Sequence, residues 1–432
     1  MPSIRCLTCV LGSLLVLSAC GEGVGLPDAG GAAGSGGSAG LPSATTGGSA
    51  TTAGQSSGAG QTSGGQASGG QASAGQNGGG ETGGGQSGGG QASGGQASGG
   101  ASGGQASGGQ AGAAQGGSSS GGSTGENRVF SECRFHFGTI DTKAKEHPEL
   151  IPELDFFTSG WMGLSDTFDQ KYVCDEAKDG GVLGKQVPVI VAYVSAFYVK
   201  RHHNNLCDCN VTTCGQTNGR PNDLCNFGAQ YIKQDLSKIV EVYKNYARGY
   251  AACFGTKKPI VFEMEPDWYQ YISSSQVSPM SKSEAGSILK QYVLAIKESL
   301  PNAFFSIDVS PWVGENGKDN GKDWYSNFDL SLFTFANTSG GGTNAATAKI
   351  RNDNLMTWAG VSGVLAKPLL ADTGYGANGA SAGHDAAWDV ASSINSRIDD
   401  GVISISQYNP KGDWAATIKS IRSQLKKPKF CP

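Results

Sequence analysis

The sequence predicts an α/β fold, a parallel β/α barrel of seven or eight strands, standing behind a long disordered tether. Three observations predict it. Short apolar runs alternate with segments of helical periodicity throughout residues 128–432. The runs are apolar on consecutive residues, as in VPVIVAY at Val187–Tyr193, which is the pattern of strands covered on both faces. Residues 20–127 are built from Gly, Ser, Ala and Gln in recurring SGGQA units, with almost no larger apolar side chain.

The chain opens MPSIRCLTCVLGSLLVLSAC: one positive charge, a short apolar stretch, then small residues. That stretch is too short to span a bilayer and reads as an export signal over residues 1–19. Leu17-Ser18-Ala19-Cys20 resembles the lipobox of bacterial lipoproteins, which implies acylation of Cys20 as the new first residue. Gly21 follows where inner-membrane lipoproteins more often carry aspartate, so the implied address is the outer membrane or the cell surface. The segment after it cannot bury enough surface to offset its ordering entropy and is expected to stay disordered. A Gly/Ser chain of this length spans roughly 55–60 Å.

The remaining residues, 128–432, form the domain, long enough to bury a large core. A net charge of −4 and the lack of any lysine or arginine stripe argue against nucleic acid as a partner. No second apolar stretch is long enough to cross a membrane. Eight cysteines remain in the exported domain, Cys133, Cys174, Cys207, Cys209, Cys214, Cys225, Cys253 and Cys431. An even number in an oxidising compartment predicts disulfides, with the Cys207–Cys225 group stapling an insertion above the barrel mouth. Its irregular spacing does not suit a zinc knuckle. No metal and no cofactor is expected, and the domain is expected to be a monomer.

In chain order, the strands are expected at Arg134–Gly138, Leu154–Ser159, Val187–Tyr193, Ile260–Met264, Ala303–Asp308, Ser331–Ala336, Pro368–Asp372 and Val402–Gln407. Helices fall between them. One near Phe227–Cys253 places Tyr231, Leu236, Ile239, Val240, Tyr243 and Tyr246 largely on one side. Another starts at a capping box, Ser281 with Glu284, and stops before Pro301. A third covers Asp385–Arg397, and a last one begins at Asp413.

In such barrels ligands gather beyond the carboxyl ends of the strands. Residues there are Tyr193, the run Glu263, Glu265, Pro266 and Asp267, then Asp308, Asn337, Asp372 and Asn409–Trp414. An aspartate after a strand is also the ordinary N-cap of the next helix, and Asp413 fits that description. Several carboxylates converging with Trp268, Trp312 and Tyr375 nevertheless supply what glycosidic hydrolysis needs. One acid is held protonated, a second carboxylate activates water or stabilises charge, and aromatic faces hold sugar rings.

The order VIVAY (Val189–Tyr193), EPD (Glu265–Asp267), FFSIDVSPW (Phe304–Trp312), FANTS (Phe335–Ser339) and ADTG (Ala371–Gly374) resembles glycoside hydrolase family six over Pro188–Gly376. The resemblance implies an inverting cellulase-like enzyme on a distorted α/β barrel, with a polysaccharide or oligosaccharide as its partner. It makes Asp267 the general acid, Glu265 a hydrogen-bonding support, Asp308 an active-site aspartate and Tyr193 a contact of the distorted sugar. The family's Arg-Asp-Cys run is met only by Cys207-Asp208-Cys209, without the arginine, which points to Asp208 as the residue that raises the acid's pKa. Its late Lys-Pro-Gly-Gly-Glu-Ser-Asp run is reduced to Asn409–Asp413, with Asp413 in the place of the base.

Two other readings stand beside this one. In the retaining barrel clan the fourth strand ends in Asn-Glu-Pro and the seventh in a nucleophilic glutamate; Glu265 would then be acid/base and Asp372 the nucleophile, although Met264 replaces the asparagine. A non-catalytic surface lipoprotein that binds glycans would also show departures at Asp208 and Asp413. For the anchor, Cys20→Ser should move the exported protein from the membrane to the soluble fraction; persistent membrane association would remove the lipoprotein reading.

Overall fold

The structure, a computed structural model, describes residues 128–431 except 204–205, 210, 212, 274–276, 315–316, 339–342 and 375–382. The signal, the tether, Cys20 and Tyr375 lie outside the described residues. Eight strands close into a barrel: β1 (His136–Ile140), β2 (Phe156–Met162), β3 (Val187–Ala192), β4 (Val261–Met264), β5 (Phe304–Asp308), β6 (Phe335–Asn337), β7 (Leu369–Asp372) and β8 (Val402–Ser406). Every pairing is parallel, each strand joins the next in sequence, and β8 returns to β1.

All eight expected strands are present, most within two residues of their expected bounds. The sixth is the largest departure. Leu330–Leu332 turn as a 3₁₀ helix, with the Ser331 hydroxyl bonded to Asp329, so pairing begins only after it. The first strand starts two residues late, because Arg134 is drawn into ion pairs with Glu132 and Asp155. The long helix runs Leu224–Phe254, capped by Asp223, and is interrupted at Asp235, whose carboxylate takes His203 and Lys238. Ser281 caps Lys282–Lys297 as its capping box requires. The segment expected as one helix over Asp385–Arg397 is two, a 3₁₀ turn Ala386–Asp389 and a helix Ala391–Asp399, parted by extended Val390.

Strand alternation divides the apolar residues into two cores. Phe157, Ile190, Phe262, Phe305, Ala336 and Leu369 face the helices. Phe156, Val189, Val261, Phe335, Leu370 and Ile403 fill the lumen. The segment before β1 plugs the N-terminal end: Phe130 stacks on His136 at 3.9 Å and leans on Phe156 and Phe335. The lumen is therefore closed below, and its carboxyls collect near the carboxyl ends of the strands.

The eight cysteines pair as Cys133–Cys431, Cys174–Cys253, Cys207–Cys214 and Cys209–Cys225. The first joins the two ends of the domain. Cys207–Cys214 closes a loop within the insertion after β3, and Cys209–Cys225 staples that insertion, which has a small hairpin of its own, to the long helix. Opening Cys133–Cys431 by a paired serine substitution should lower unfolding free energy by about 2–4 kcal/mol, because the loop it closes is long. Denaturant unfolding of the oxidised protein checks this, and mass spectrometry of unreduced peptides checks the four pairings.

Candidate active site

β4 ends in a turn that no ordinary strand end adopts. Glu265 and Asp267 both have left-handed backbone, at φ 46° and 64°, with Pro266 between them. Non-glycine residues there cost about 1–3 kcal/mol each, so surrounding structure must hold them. Glu265 is fully buried and supplies the hold. Its carboxylate accepts from the Ser195 amide at 2.8 Å and from the Tyr243 and Tyr271 hydroxyls, while its own amide donates to Ala192 at 2.9 Å. Burial pushes its pKa up and the hydroxyl and amide donors draw it back, with a net rise. Tyr243 stacks in turn on Tyr292, whose hydroxyl accepts from Ser195.

The turn delivers Asp267 to the mouth, half-buried and bonded to no backbone amide of the helix it precedes. Burial, and after it the negative charge of Asp208, raise its pKa to about 6, against the opposing field of Arg351. Asp208 lies in the disulfide-stapled insertion and pairs with Lys200 at 2.7 Å. Tyr193 sits among these groups. Its hydroxyl is pushed well above its ordinary pKa by burial and then by Asp267, Asp208, Glu265 and Asp308, so one phenol senses four carboxylates. Its ring meets Trp161 and Phe197 edge-on at 6.3 and 5.0 Å.

Beneath the mouth the inward positions of β4 to β7 form a polar layer. Glu263, Ser306, Asp308, Asn337 and Asp372 are all buried. The Ser306 hydroxyl donates to Asn337 Oδ1 at 2.7 Å. Asp372 accepts from the Gly374 amide at 2.7 Å and from Thr338, and burial raises its pKa to about 8. The Asp308 carbonyl accepts from Tyr325 at 2.9 Å.

Several expected site residues are placed differently. Trp268 is only 3% exposed and packs edge-on against Tyr271 and Tyr292, so it is a core residue and not a platform for a sugar. Helical periodicity from Trp268 to Ile272 turns its ring inward. Asp413 is exposed on the rim and accepts from the Ala416 amide at 2.9 Å, the N-cap of helix Trp414–Arg422. Glu265 presents no surface to a substrate. Trp312 is exposed at 38%, with the Arg351 guanidinium 5.6 Å above its ring.

Two groups at the mouth were not anticipated. Trp161 is the next-to-last residue of β2, beside a register shift at Gly160, whose φ is 71°, and is half-buried against Tyr193. The Gly-Trp pair closing an apolar run was its sequence signal. Arg351, which acts on both Asp267 and Asp372 and bonds to Asp353 through two nitrogens, lies in a loop with no distinguishing pattern.

No protein family and no curated protein matches the sequence. Solved structures similar to it include a family 26 β-mannanase from Bacteroides ovatus, at 12% identity and a TM-score of 0.45, covering 69% of this chain and 91% of that one. The CcCel6A catalytic domain complexed with p-nitrophenyl β-D-cellotrioside is similar at 12% identity and a TM-score of 0.33, over 56% of this chain and 72% of its own. An old yellow enzyme homologue from Zymomonas mobilis is similar at 12% identity and a TM-score of 0.40, over 69% and 90%. Further β-mannanases, an endoglucanase and a xylanase recur among these structures. At such identities the likeness bears on fold alone, and a fold hosts unrelated chemistries; the closed parallel β/α barrel of this chain rests on its own strand pairing.

Proposed function

We propose that the domain is a glycoside hydrolase that acts on a β-linked glucan or a related polysaccharide, inverts the anomeric centre, and uses Asp267 as its proton donor. The observation that carries this reading is Asp267 itself: a half-buried carboxyl at the barrel mouth, held by a left-handed backbone, with its pKa raised to about 6 by burial and by Asp208. A general acid must be protonated when substrate binds and near its pKa when the proton leaves. Tyr193 and Trp161 supply aromatic edges beside it, and Trp312 an exposed indole. The resemblance of the EPD, SIDVSPW and ADTG runs to family six agrees with this assignment. Lipidation of Cys20 would hold the enzyme as a monomer at the outer membrane or cell surface, facing polymers too large to enter the cell.

The retaining alternative fits the geometry less well. Glu265 has no surface with which to donate to a leaving group, and its carboxylate is enclosed by Ser195, Tyr243 and Tyr271. Asp372, with a pKa of about 8, is protonated at neutral pH and a poor nucleophile there.

Asp267→Asn should lower kcat by ~10²–10⁴ with KM little changed, since only transition-state proton transfer is lost. Product anomers followed by NMR should be inverted. Retained configuration would remove the inverting mechanism, and normal turnover in the variant would remove Asp267 as the acid; glycan binding without any turnover in the parent would indicate a binding protein.

The pH profile gives a separate check. With its pKa raised, Asp267 is active as the acid below about pH 6, so the alkaline limb of kcat/KM should fall there. Asp208→Asn removes a charge that raises that pKa and should shift the limb towards acid. Arg351→Met removes the opposing charge and should shift it towards alkali. Shifts of the same sign in both variants would contradict this electrostatic account.

A further inference from the structure

Glu263 has no task in the reading above. It lies two residues before Glu265, on the face of β4 that carries Val261 into the lumen, and is 8% exposed. No described residue hydrogen-bonds to its carboxyl. Its charged form is opposed by burial and then by Asp372 on β7 and Asp308 on β5, which together push its pKa well up. A carboxyl on β4 that senses β7 points across the lumen and not beneath the helices.

A second buried group in the same layer is also unmatched. Asn337 is 1% exposed; its Oδ1 accepts from Ser306, but its Nδ2 has no partner. Folded interiors rarely leave a buried amide nitrogen unpaired, because it has given up its water for nothing, and in the same polar layer the Glu263 carboxyl has no partner among the described residues either. A ligand group that completes both accounts for them.

The donors and acceptors select that group. Asn337 Nδ2 can only donate, whereas a neutral carboxyl both donates and accepts. A ligand matching both must accept from Asn337 and exchange hydrogen bonds with Glu263, which is what a hydroxyl does. An ammonium would leave Asn337 unmatched. A sugar carboxylate would bring a charge into a layer where burial already opposes the ionised forms of Glu263 and Asp372, and Glu263, Asp308 and Asp372 do not form a metal-ligand set that would neutralise it. We propose that Glu263, together with Asn337 two strands away on β6, is a specificity residue that binds the hydroxyl groups of a neutral sugar ring seated in the top of the lumen beneath Asp267. This rests on the hydrolase reading and narrows its substrate to neutral sugars, as against uronic acids and amino sugars.

A carboxyl kept for a ligand weakens the empty protein. The folded state holds the Glu263 proton more tightly than the unfolded chain does, so the stability this contributes is present in acid and is lost as pH rises above the ordinary carboxylate range. Glu263→Gln abolishes that titration, and the variant should therefore melt above the parent at neutral and alkaline pH and level with it in acid.

The test titrates cellohexaose calorimetrically into Asp267→Asn, with and without Glu263→Gln or Glu263→Ala, and melts each protein across pH. Affinity should fall about tenfold in both Glu263 variants while Glu263→Gln gains thermal stability above neutrality. Equal affinity with and without Glu263 would overturn this inference alone. A Glu263→Gln protein that melts below its parent at every pH would mark the residue as structural and overturn it as well. If neither cellohexaose nor mannohexaose binds the Asp267→Asn parent, the hydrolase reading and this inference both fall.

Discussion

The carboxylate of Glu265 is the contact on which the mouth depends. It draws three donors from three different places: the first turn of the helix Val194–His202, the long helix Leu224–Phe254, and the short helix Trp268–Ile272. Hydrogen bonds to a charged group contribute about 1.5–3 kcal/mol each. Together they outweigh the cost of the two left-handed residues that flank Pro266, so the turn can be stored in the fold. A carboxylate so enclosed cannot do chemistry; it fixes where Asp267 goes.

The second constraint is the layering of the lumen. The plug at Phe130 and the apolar floor of Phe156, Val189, Val261, Phe335 and Leu370 exclude water from below. Carboxyls set into the layer above it lose their hydration, and burial heads the causes of the raised pKa values of Glu263, Asp267 and Asp372. The same apolar floor that stabilises the barrel thus tunes the acids at its mouth. The disulfides Cys207–Cys214 and Cys209–Cys225 flank Asp208 and hold its charge at Asp267, where an insertion with little apolar content of its own would otherwise wander.

Much of this was legible in residues. Apolar runs of strand length separated by helix-period segments gave eight strands in order, because a strand covered on both faces leaves a continuous hydrophobic trace. The capping signals at Ser281 and Asp413 and the even number of cysteines were legible for equally local reasons. The EPD run could be placed at a strand end because proline stops a ladder.

What the sequence by itself determined, then, was the fold class, the succession of its elements, and the stretch where carboxylates collect. Which carboxyl faces the substrate was decided only by tertiary structure. Alternation alone would send Glu263, Glu265 and Asp267 to one side, yet the positive φ at Glu265 turns its side chain back beneath the helices while Glu263 stays in the lumen. Trp268 was taken for a mouth residue because it follows the acid, but one turn of helix buries it against Tyr292. Arg351 and Trp161 reach the site from loops and strand ends distant in sequence. Periodicity records which face of one element is buried; it carries no record of which groups from different elements meet, and at this mouth the chemistry lies in that meeting.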